Sequence, residues 1–150
     1  MPYANLKIGM TEVQKQAIIN DINTIYNNMP YLILLTTKEK KQGMQLGNLA
    51  PTFLQRSLLL AKNNPNVVPS FIDMSDWGLD VQDHRSLCEI RTQLNKLQDA
   101  VNCTIIALEQ EAMRVSLSFY KVAKSAEAQG VMGASMIVDE LSQMMPRTKK

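Results

Sequence analysis

The stretch from Gln93 to Gln129, QLNKLQDAVNCTIIALEQEAMRVSLSFYKVAKSAEAQ, contains neither glycine nor proline. Whether the chain turns inside it decides the fold. The uninterrupted region starts at Leu79 and covers 51 residues to Gln129. Its apolar residues fall at Leu87, Ile90, Leu94, Leu97, Val101, Ile105, Leu108, Ala112, Val115, Phe119, Val122 and Ala126. The steps between them are 3, 4, 3, 4, 4, 3, 4, 3, 4, 3 and 4. A hairpin is free to break such a phase, and here the phase runs straight through. The one extra four-residue step is how a 3.5-residue repeat relaxes toward 3.6. A turn has its best local chemistry at Asp99, Asn102 and Thr104, but Val101 and Ile105 are poor turn residues and no glycine is present.

Two readings follow. In the first, residues 79–128 form one very long helix of about 75 Å at 1.5 Å per residue. Its uncovered apolar stripe then needs another subunit, because monomers rarely leave such surfaces bare. In the second, the chain folds back near Asn102 as a helical hairpin and closes on itself as an up-down bundle. Either way the class is all-α, an up-down helical bundle built around residues 79–128.

The flanking sequence fits helices. Thr11 and Gln14 form a capping box. Val13, Ala17, Ile18, Ile22, Ile25 and Met29 then trace an amphipathic helix of about 17 residues, ending near Asn27 and Asn28. Pro30 suits the first turn of a short apolar helix through Leu35, expected as a buried plug. Thr36 and Glu39 repeat the capping box, with Gly43 as the stop. A second helix is expected from Asn48, with Pro51 in its first turn, inward residues Leu54, Leu58 and Ala61, and a wider stripe at Phe53 and Leu60. It ends at Lys62–Pro65. A loop with anchors at Val67, Phe71 and Trp77 follows, and Asp73, Ser75 or Asp76 can cap the long region. After Gly130 and Gly133 a last short helix turns Ile137, Leu141 and Met144 inward, and Pro146 stops it. Residues 1–150 read as a single domain, with a loose N-terminus at 1–10 and a basic tail at 147–150.

Bulk chemistry bounds the function. The chain of 150 residues is 45% hydrophobic and 20% charged, with net charge +2. That is globular, and near-neutral charge gives no footprint for nucleic acid or an anionic membrane. The longest apolar run, Tyr31–Leu35, is far too short to span a bilayer, and the N-terminus has no signal-peptide pattern. A cytoplasmic protein is expected. Ten methionines suit gap filling in helical packing. Cys88 and Cys103 lie about 22 Å apart on a single straight helix, beyond disulfide reach, and read as two small buried hydrophobes in a reducing compartment. Lys38, Lys40 and Lys41 read as a solvated connector.

Catalytic motifs are missing. There is no G-x-S-x-G, phosphate loop or dinucleotide fingerprint. One histidine, His84, cannot build the two Glu-x-x-His pairs of a di-iron bundle. Asp80 and His84, four apart, could hold a metal with one more ligand, but two positions at one spacing more often mark an exposed polar face. Glu109 and Glu111 point about 200° apart on a helix, so they are no catalytic pair. Lys121, Lys124 and Arg114 read as ordinary surface. No cofactor is expected.

The order of elements resembles one known group. Pro30-Tyr31-Leu32, the Leu-Thr-Thr-Lys-Glu-Lys run at Leu35–Lys40, the Asn64-Pro65 helix end, the Thr-x-x-Ala-Leu-x-x-Glu-Ala pattern at Thr104–Ala112 and the basic tail are similar to a family of small all-helical bacterial proteins with no assigned activity. The similarity spans nearly the whole chain and rests on generic motifs. It implies a cytosolic helical bundle and no particular site. Relatives often carry glycine where this chain has Glu109, and its absence here favours a continuous helix.

The function expected from the sequence is therefore non-enzymatic: a structural or scaffolding protein that associates with itself through Val101, Ile105, Leu108, Ala112, Val115, Phe119 and Val122. A helical binding module for a partner helix or an apolar ligand is the alternative. A weak metal-dependent enzyme using Asp80 and His84 is the third.

Overall fold

The computed structural model of the protein describes residues 5–145, so the basic tail and the Pro146 stop lie outside the described residues. Among the described residues the chain is all-α, with no strand. The helices are α1 (Glu12–Asn27), α2 (Thr37–Gln42), α3 (Ala50–Asn63), α4 (Met74–Ala128) and α5 (Ala134–Met144). Contacts group the chain into two units: Ile8–Lys96, and Leu97–Lys150 together with Met1–Lys7.

The 51-residue region is helical without a break. α4 runs for 55 residues, so the chain makes no hairpin at Asn102. It also starts five residues before Leu79. The Asp73 carboxylate accepts from the Ser75 and Asp76 amides at 2.8 and 3.1 Å, which caps the helix early enough to take in Gly78. Gly78 weakens a helix only by about 1 kcal/mol, which one good cap offsets. The far end closes in a Schellman motif. Gly130 sits at φ 72°, its N–H bonds the Glu127 carbonyl at 2.9 Å, and the Val131 N–H bonds the Ala126 carbonyl at 3.0 Å. Gly133, at φ 82°, then precedes α5.

A Cβ at φ 72° is strained even in open space, and nothing lies within 4 Å of the Gly130 position. Gly130→Ala is accordingly expected to destabilise by about 1 kcal/mol, seen as a lower urea midpoint at fixed protein concentration. An unchanged midpoint would mean that the α4–α5 turn is not needed for stability.

Both capping boxes form. The Gln14 amide donates to Thr11 Oγ1 at 3.2 Å, and the Gln14 side chain accepts from the Thr11 amide at 2.9 Å. Thr36 and Glu39 make the same exchange at 3.3 and 2.7 Å. The hydroxyl and amide of Thr36 hold the Glu39 carboxyl below its ordinary range. Lys40 and Lys41 fall in the last turn of α2, where cations complement the helix dipole, so these lysines have a structural explanation.

Several local expectations need correction. No helix forms at Met29–Leu35. The Leu32 N–H bonds the Met29 carbonyl at 3.2 Å, closing a turn with Pro30 second in it, and residues 32–36 are irregular. The segment is not a buried plug either, since Leu34 is 98% exposed. Ahead of α3, residues Gly47–Leu49 form a 3₁₀ turn, so the α-helix begins at Ala50, not Asn48. Val67 and Phe71 are exposed, and only Trp77 of those three anchors is half-buried. On α5 the buried residues are Ala134 and Val138. Ile137 and Leu141 are half-buried, and Met144 is exposed. Of the two cysteines, Cys88 is half-buried and Cys103 is exposed.

Within residues 8–96, α3 lies along the start of α4. Leu58 and Val81 are both buried, and Leu59, Lys62, Gly78 and Arg85 line one cleft between the two helices. Leu54 and Ala61 are half-buried, while Phe53 and Leu60 are exposed. α1 has no buried residue, so its apolar face at Ile18, Ile22 and Ile25 is uncovered. Within the other unit, Phe119 and Tyr120 of α4 and Leu141 and Met144 of α5 line one groove, and Ala123, Ala134 and Val138 are buried.

Candidate self-association surface

The apolar stripe of α4 is formed by residues three and four apart, which a continuous helix stacks on one face. Continuity therefore matters more than any single residue: α4 keeps Val101, Ile105, Leu108, Ala112, Val115, Phe119 and Val122 in one line. Leu108 is half-buried and the other six are exposed, Ile105 at 47% and Val115 and Val122 at 66%. The same line continues upstream through Leu87, Ile90, Leu94 and Leu97, which are also exposed. The candidate set read from sequence stops short at Val101. The signal for the upstream residues was present in the step pattern.

Val81, which lines the cleft between α3 and α4, is turned about 120° from Leu87 at 100° per residue. On the flank near the middle of the helix, the Glu111 carboxylate accepts from the Leu6 amide through both oxygens, at 3.1 and 3.2 Å. Leu6 is held there, and Ala107, one turn earlier on that flank, is buried. Glu111 is thus a structural acceptor. Near its end the stripe borders a groove between α4 and α5, lined by Met113, Val115, Phe119, Leu141, Met144 and Met145.

The polar candidates are dispersed. His84 meets Cys88 rather than Asp80, with Sγ 3.8 Å from Nε2, and Arg91 reaches the same sulfur at 3.7 Å. Among the described residues, no three His, Cys, Asp or Glu side chains lie close enough to hold a metal ion. Lys124 lies 5.2 Å over the Tyr120 ring, which accounts for its placement. No helix among the described residues is long and apolar enough to cross a membrane.

Compared with protein-family models, with curated proteins and with solved structures, the chain matches none.

Proposed function

We infer that the protein is a structural, self-associating protein whose α4 stripe is a subunit interface. The observation that carries this reading is the uncovered apolar surface. Among the described residues only six hydrophobic side chains are buried: Leu58, Val81, Ala107, Ala123, Ala134 and Val138. The accessible surface is 13358 Å² for a 16.9 kDa chain. A folded monomer of that mass presents about 7,700 Å². The surplus of roughly 5,700 Å² per chain exceeds the roughly 1,000 to 2,500 Å² that an obligate interface covers on each partner. Hydrophobic burial is the main favourable term in folding, so a chain that hides so little of its apolar surface gains its stability by association.

Light scattering after gel filtration, over a dilution series, tests this. A multiple of 16.9 kDa that does not change on dilution is expected. A monomer at every concentration would overturn it.

A binding module is favoured by one separate observation, the groove between α4 and α5 with its methionine-rich wall. That reading requires the groove to stay open in the assembled protein, where it would bind an apolar dye in the native state.

A further inference from the structure

We propose that two copies pair through α4 antiparallel, about a two-fold axis that passes beside Val101. This rests on the self-association reading and names its geometry. The steps along the stripe read the same in both directions from Val101. Leu97 and Ile105 stand four residues either side of it, and Leu94 and Leu108 seven. Ile90 and Ala112 stand eleven away, and Leu87 and Val115 fourteen. At about 100° per residue all of these lie within about 40° of the Val101 line. A second α4 laid antiparallel across that point therefore meets an apolar residue at every level, over about 42 Å. The next residues outward close the stretch, because Phe119 and Val122 would meet Asp83 and Asp80.

The mirror pattern also explains the extra four-residue step. A 3-4 repeat read backwards is a 4-3 repeat, so a residue can sit on the two-fold axis only where the steps on its two sides are equal. They are equal at Val101, four and four.

A parallel pair in register also aligns that step. Side-chain size and charge favour the antiparallel one. The first half of the stripe is larger than the second, and antiparallel pairing sets Ile90 against Ala112 and Leu87 against Val115, large against small. Parallel pairing would stack Ala112 on itself and leave the helices unevenly spaced. Arg91 and Glu109 lie on the same flank, each about 80° from the stripe. A two-fold axis keeps the flank and reverses the height, so Arg91 of each copy stands beside Glu109 of the other, about 3 Å apart along the axis. Parallel pairing separates them by about 27 Å. Both side chains are exposed in the single chain, where Arg91 reaches the Cys88 sulfur at 3.7 Å.

Cysteine cross-linking tests the geometry, in a Cys88→Ser, Cys103→Ser parent whose mass matches the wild type. Antiparallel pairing brings residue 94 to residue 108, while the two copies of residue 94 stay about 21 Å apart, out of disulfide reach. Leu94→Cys alone and Leu108→Cys alone should give no linked dimer under mild oxidation. Co-expressed, they should give one. If the single variants link on their own, the pair is parallel and the proposal falls while self-association stands. If no combination links and the assembly is intact, α4 does not pair with itself and the proposal again falls. A monomeric parent sinks self-association itself. Where either leucine variant fails to fold, exchange of surface charge decides. Arg91→Glu and Glu109→Arg should each weaken association about 3- to 10-fold, and the double variant should restore it. Absence of rescue overturns the antiparallel register.

Discussion

A Val101→Asp chain is expected to run as a 16.9 kDa monomer at concentrations where the wild-type assembly is complete. Val101 is 49% exposed in the single chain, so an aspartate there meets water and costs the isolated helix only about 0.5 kcal/mol in propensity. On a two-fold axis the same change places two carboxylates together in an apolar seam. Each loses its hydration with no partner, and the two repel, for a combined cost of several kcal/mol. A loss of about 5 kcal/mol raises the dissociation constant by about 10³- to 10⁴-fold. Mass by light scattering and helix content by circular dichroism are read on the same sample. Loss of mass at full helix content separates the interface from the fold. If the helix is lost as well, α4 needs its partner in order to form, which also implicates the stripe. An unchanged assembly would remove Val101 from any interface.

That separation is possible because the sequence describes α4 better than it describes what α4 touches. The helix starts are written locally. Thr11 with Gln14 and Thr36 with Glu39 need only each other, so a four-residue reading finds them. Gly130 is equally local, since a left-handed position after a helix demands it. The phase of α4 fits one helix but leaves a hairpin near Asn102 open, and Gly78 hid the helix's true beginning. Tyr31–Leu35 misled for a physical reason. The fixed φ of proline suits both the first turn of a helix and the second place of a turn, and Met29 offers no cap to favour the helix. Burial was read worse than helix position. Val67, Phe71 and Met144 have the composition of anchors, yet all three are exposed. Amphipathicity says which face avoids water, and it cannot say whether the cover comes from the same chain. The stripe from Leu87 to Val122 is the large instance of that ambiguity, and the uncovered face of α1 is another.

Changing the phase of α4 without breaking it gives the second large effect. One alanine inserted after Ala100 turns everything downstream by about 100°, while alanine itself favours helix. The single stripe then becomes two half-stripes on different faces, and a straight partner can cover only one. About half of the apolar layers in the seam are lost, each worth roughly 1 to 2 kcal/mol when well buried, so association should weaken by more than about 100-fold. Duplicating the seven residues Leu94–Ala100 supplies the control. Seven residues turn the helix by about 700°, within about 20° of two full turns, so the stripe stays in line. The inserted leucines fill the new layers, and the steps still mirror about the original valine, with Leu87 now opposite the original Val122. This longer chain should remain helical and associate at least as tightly as the wild type, although it carries seven times the insertion. Sedimentation equilibrium on the three chains reads the order directly. If the one-residue insertion associates like the wild type, the halves of the stripe act independently and no single seam runs along α4. If both insertions dissociate, α4 tolerates no added length, and the contacts that hold it depend on length rather than phase.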